Sequence, residues 1–106
     1  MTLAPDELVA LIAQGRAPAI LDVRSDAEFA EGHVPGAMHI PFWQLPRRAV
    51  EIPGRPTDRL VVYCGHGPRA WYAKAVLRRG GFTRVELLEG HMSQWKRAGR
   101  PVVAGL

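Results

Sequence analysis

Six consecutive residues, Cys64-Gly65-His66-Gly67-Pro68-Arg69, bring together the only thiol of the sequence, two glycines and a guanidinium. A cysteine reacts as its thiolate, so such a segment is judged by what would hold the negative charge. Gly65 and Gly67 let the backbone turn sharply, so that successive N–H groups can point into one small bowl. Such a nest binds anions, and a helix starting after it adds the positive end of its dipole. At the centre of the nest a thiol's pKa falls from ~8.5 toward ~7. Arg69 adds a fixed charge and a planar fork of donors. Pro68 has no N–H to donate, but it suits the first turn of a helix. Against this stands the commonest fate of a lone cysteine, a small buried hydrophobe. The nucleophile reading therefore requires a sulfur that is both ionised and reachable from solvent.

For this segment to work, a strand must deliver Cys64 and a helix must follow. Leu60-Val61-Val62-Tyr63-Cys64 is β-branched and aromatic and is broken at once by Gly65, which predicts a buried strand. Ala70 to Arg79 predicts a helix with Ala73, Val76 and Leu77 turned inward, stopped by Gly80-Gly81. Earlier in the chain, Leu8, Leu11 and Ile12 share one helical face. Pro5, Asp6 and Glu7 suit that helix's first turn, and Gly15 its end. Ala19 to Val23 reads as a second buried strand. Ser25-Asp26-Ala27-Glu28 has the form of a capping box, so a short helix starts there and ends at Gly32. His33-Val34-Pro35-Gly36 reads as a turn and Ala37 to Ile40 as a short strand. Residues 41–59 hold four of the nine prolines and predict mostly loop with a short helix. Arg84 to Leu88 is another strand, and His91 to Ala98 a final helix closed by Gly99, with Pro101 just beyond.

Strands that alternate with helices predict an α/β fold: a small parallel sheet of about five strands, flanked by helices on both faces. Residues 1–106 are expected to form one domain. In such a sheet, sites gather at the carboxyl ends of the strands. Three segments fall there: Asp22-Val23-Arg24, Cys64 through Arg69, and Glu89-Gly90-His91.

Composition narrows the class. With 106 residues, 47% hydrophobic and 23% charged, the chain is an ordinary globular mixture. One cysteine permits no internal disulfide and fits a reducing compartment. The four histidines show no metal-type spacing such as His-x-x-x-His, so no metal site is expected. The start of the chain lacks a basic n-region, and no apolar run approaches the ~20 residues a membrane span needs. The expected location is cytoplasmic, with no membrane partner. The net charge of +4 comes from 14 basic against 10 acidic residues, scattered rather than striped. That argues against nucleic acid and for a mild bias toward anionic substrates.

These residues also resemble a known family. Leu21-Asp22-Val23-Arg24, Glu28-Phe29 and Gly32-His33-Val34-Pro35-Gly36-Ala37 are similar to the first signature of the rhodaneses, a family of sulfurtransferases. Val62-Tyr63-Cys64 with Gly67 and Arg69 resembles their active-site segment. Leu88-Glu89-Gly90 with Trp95 and Pro101 resembles their C-terminal signature. The resemblance implies transfer of a sulfane sulfur from a donor such as thiosulfate, a persulfide or a polysulfide, through a persulfide on Cys64. The acceptor would be cyanide, a thiol or a protein, and no cofactor is implied. Cys64 would be the nucleophile, Gly65, His66, Gly67, Pro68 and Arg69 the substrate-binding loop, and Asp22, Arg24, Glu28 and His33 supporting residues. The related cell-cycle dual-specificity phosphatases have a loop one residue longer, which makes phosphatase or arsenate reductase activity the lesser expectation. The alternative within the family is a persulfide-carrying or regulatory interaction module with little turnover of small donors.

The chain departs from the family pattern at three places. Gly65 stands where many members carry Arg or Lys. Pro68 removes an amide from the bowl. His91 stands where a second glycine is common, and its ring is expected to cap the last helix rather than to reach substrate. Arg24 is expected to pair with Glu28, and His33 to be a satisfied turn histidine rather than a base. Trp43, Trp71 and Trp95 are expected in the core or at its rim, with Trp71 one turn past the loop.

Overall fold

A computed structural model describes residues 2–105; Met1 and Leu106, the two ends of the expected domain, lie outside the described residues. Five strands form one sheet in the order β1-β5-β4-β2-β3, all parallel. They are β1 (Thr2–Leu3), β2 (Ala19–Asp22), β3 (Met38–His39), β4 (Leu60–Tyr63) and β5 (Val85–Leu88). The helices are α1 (Pro5–Ala13), α2 (Asp26–Glu31), α3 (Leu45–Arg48), α4 (Pro68–Arg79) and α5 (His91–Arg97). Two 3₁₀ turns, Phe42–Gln44 and Ala49–Glu51, flank α3, so the proline-rich stretch is more ordered than composition suggests.

The central strands are covered on both faces, which is why β4 and β5 are buried along their whole length rather than alternating. On one face Leu21, Val62, Leu87, Ala73 and Leu77 pack with Leu45 and Ile52 from the α3 region. On the other, Ile20, Val61 and Tyr63 pack with Leu8 of α1 and Met92 and Trp95 of α5. Trp95 is wholly buried, and its indole N–H reaches the Pro101 carbonyl at 2.7 Å. Trp43 and Trp71 lie outside the core, 55% and 72% exposed. No helix among the described residues is long and apolar enough to cross a membrane.

Strand β1 was not expected from local pattern. Its two residues join the sheet by pairing Thr2 with Leu87 and Leu3 with Leu88. The capping box before α2 forms as expected: the Glu28 N–H donates to Ser25 Oγ at 3.3 Å, and the Ser25 N–H to Glu28 Oε1 at 3.0 Å.

Candidate active site

Cys64 directly follows β4 in the middle of the sheet, and Gly67 is the residue before α4. Pro68 takes the first turn of α4, as its ring geometry favours. Between them the chain must reverse in three residues. Gly67 makes this feasible, with φ 132°, a conformation that side chains resist. Its N–H then donates to Cys64 Sγ at 3.0 Å.

Burial raises the Cys64 pKa, and the surrounding donors overturn that effect. Hydrogen bonds from the His91 ring and from the Ala70 and Gly67 amides bring it from 9.0 to about 7. The sulfur is thus held where its ionised form is well populated at neutral pH.

One expectation is not met: Cys64 has no exposed surface. Cys64 belongs to the buried core with Leu21, Val23, Val62 and Ala70. From the loop side the Gly67 N–H meets the sulfur, and His66 in that loop is exposed.

Arg69 reaches back across the loop to α2, donating to Glu28 Oε1 at 2.6 Å and Oε2 at 3.1 Å. The Arg69 guanidinium holds the Glu28 carboxyl down at about 2, against partial burial and with help from Ser25. A Cβ on Gly65 would stand 3.0 Å from Arg69 Nη2, so the missing side chain at 65 is the space in which this ion pair lies. The charge of Cys64 in turn favours the charged form of Arg69.

Arg24 does not pair with Glu28. Glu28 is taken by Arg69, and the fully buried Asp22 lies two residues from Arg24. Arg24 donates to it from Nε at 3.1 Å and Nη2 at 2.8 Å, and to the Gly32 carbonyl at 2.7 Å. Beside it the Tyr63 hydroxyl accepts the Val34 N–H at 3.0 Å, and burial with the Asp22 charge raises its pKa. This knot fixes the end of β2 to the end of α2. His33 belongs to the same scaffold: its Nδ1 meets the Phe29 carbonyl at 2.8 Å, its ring stacks on Phe29 at 3.6 Å, and its backbone pairs with Val103.

The ring of His91 does not cap α5, which has no side-chain cap. It turns to the thiol instead, Nδ1 accepting the Cys64 N–H at 3.2 Å. Sequence reading placed His91 at a strand's carboxyl end but not its ring, because only the β4-β5 neighbourhood brings the two ends together. Beside the loop lies a crevice of about 210 Å³ lined by Arg24, Gly65, His66, Met92, Ser93 and Lys96. Both of its cations are paired, Arg24 with Asp22 and Lys96 with Glu31. A larger groove of about 380 Å³, around Val50, Pro56 and Phe82, lies at the opposite end of the strands and far from the thiol.

A thiol beside loop amides, at the turn from a central parallel strand into a helix, defines an α/β domain with a lone cysteine at its candidate site. The family profile of the rhodanese-like domain matches residues 4–98, and the chain belongs to that family. It is 41% identical over 86 residues to a sulfurtransferase of Allochromatium vinosum, covering 80% of this chain and 78% of that one. Other curated relatives are longer, and the chain spans 40% and 59% of two of them. Among solved structures, the Alr3790 protein from Anabaena superposes with a TM-score of 0.87 at 28% identity, over 98% of this chain and 93% of that one. The human single-domain sulfurtransferase TSTD1 does so with a TM-score of 0.78 at 30% identity, over 91% and 95%.

Proposed function

We propose that the chain moves a sulfane sulfur from a small donor, thiosulfate or a persulfide, to a thiophilic acceptor through a persulfide on Cys64. The observation that carries this reading is the Gly67 N–H aimed at Sγ from 3.0 Å, in a loop that leaves the sulfur substantially ionised. The thiolate attacks the outer sulfur of thiosulfate. The donor's S–S bond breaks, and sulfite leaves with the bonding electrons. Cyanide, a thiolate or a protein thiol then attacks the outer sulfur of Cys64–S–S⁻, and the Cys64 thiolate is restored. These are two covalent half-reactions, so ping-pong kinetics follow.

In this scheme the Gly65, His66 and Gly67 loop cups the persulfide, and its amides hold the anionic sulfur as preorganised dipoles. Pro68 starts α4 and stiffens the loop's exit. Arg69 draws the anionic donor, while Asp22, Arg24, Glu28 and His33 keep the surrounding turns in place. The reaction needs no cofactor. Donor entry requires the loop to lift off the sulfur, since Cys64 is sealed at rest.

The sealed sulfur also favours a second reading, a persulfide carrier or regulatory module that turns over small donors slowly. Intact-mass measurement separates the two. Thiosulfate should add the mass of one sulfur atom, cyanide should remove it as thiocyanate, and Cys64→Ser should take up none. Loading by glutathione persulfide or polysulfide but not by thiosulfate selects the carrier. No adduct from any of the three overturns both readings.

A further inference from the structure

We infer that His91 is a positioning residue for Cys64, fixing the strand end and the loop in the geometry that keeps the sulfur ionised. The inference rests on the reading of Cys64 as the nucleophile.

The backbone of His91 has φ 51°, and it is the only non-glycine at positive φ among the described residues. Glycine would adopt this conformation freely, whereas a histidine there is strained. The strain is matched by what the ring reaches. Nδ1 accepts the Cys64 N–H at 3.2 Å. The opposite edge, Nε2 and Cδ2, stands 3.5 and 3.6 Å from where a Cβ on Gly67 would be. One imidazole thus bonds the residue that bears the sulfur and fills the side-chain space left open at the residue whose amide binds it. Because Nδ1 accepts, this hydrogen bond assigns the ring proton to Nε2, on the loop side.

A purely architectural role is already filled by other groups. The Met92 N–H donates to the Cys64 carbonyl and the Ser93 N–H to the Gly65 carbonyl, both at 3.0 Å. These two bonds dock α5 on the loop without the ring. The charged groups around the thiol are largely paired. Arg69 of α4 is engaged by Glu28 of α2, and Arg24 by Asp22 at the end of β2. His66 of the loop and Lys96 of α5 border the adjoining crevice. Burial opposes ionisation of Cys64, and the hydrogen bond with His91 is the largest effect that favours it. With no side chain at position 65, the ring adds a polar contact that the loop itself does not provide.

The test uses the full chain with no sulfur donor, reading thiolate absorbance and iodoacetamide alkylation against pH. His91→Gly should melt at or above the wild-type temperature, because its backbone strain is gone. Its thiolate midpoint should nevertheless rise by about one pH unit, cutting thiolate at pH 7 about fivefold. His91→Asn tolerates the left-handed backbone and keeps an acceptor for the Cys64 amide, so it should recover part of that shift. An unchanged midpoint in a well-folded His91→Gly overturns the inference. So does a large drop in its melting temperature, which would make His91 a folding residue. Failure of sulfur loading leaves this titration untouched, so the two readings fail separately.

Discussion

The lowered pKa of Cys64 makes the stability of the protein depend on pH in a way that a single substitution isolates. The folded thiol titrates near 7 and an ordinary thiol near 9.0. The folded state therefore releases this proton more readily than the unfolded chain does. The resulting stabilisation is complete above the unfolded pKa and disappears as pH falls through about 7. Linkage arithmetic makes it negligible at pH 6 and roughly 2–3 kcal/mol at pH 9.5. Cys64→Ala removes the titrating group. It also removes packing, but that loss is the same at every pH. Urea unfolding of both proteins under reducing conditions should show their stability gap widen by roughly 2–3 kcal/mol between pH 6 and pH 9.5. With a denaturant slope of ~1–3 kcal/mol/M, the two midpoints should move apart by about 1–3 M. A gap that stays constant refutes the claim that the fold favours the thiolate. A gap that narrows means burial has won over the hydrogen bonds and the thiol is held neutral.

Other outcomes follow from the ion pairs. Arg69→Ala should lower kcat/KM for an anionic donor at least about tenfold with the circular dichroism unchanged, and Arg69→Lys should recover little, since a point charge cannot copy a two-pronged bond; unchanged steady-state kinetics would remove Arg69 from donor binding. Asp22→Asn strips the partner from a buried Arg24 and should cost ~3–5 kcal/mol in chemical denaturation. A loss below about 1 kcal/mol would show that Arg24 escapes to solvent instead.

Much of the architecture is legible in short stretches of the chain. The Leu60–Tyr63 run, the Ser25–Glu28 capping box and the proline that opens α4 act over a few residues, and each forms where the pattern puts it. The thiol loop is legible for the same reason: two glycines and a helix start are local facts. Strand β1 was not legible, because two residues carry no period; Thr2 and Leu3 become a strand only once β5 offers an edge.

The partners of the charged residues show the same divide. Arg24 and Glu28 lie close in sequence, so pairing them was reasonable. The fold instead gives Glu28 to Arg69, distant in the chain, and leaves Arg24 to Asp22. His91 and the covering of the sulfur belong to this second kind. The order of elements and the loop that carries Cys64 follow from preferences that operate within a turn or a strand. Which ring stands beside the thiol, and whether solvent reaches it, depends on strands β4 and β5 lying side by side and on α5 docking against the loop. Those contacts join positions far apart in the chain, where neighbouring residues carry no trace of one another.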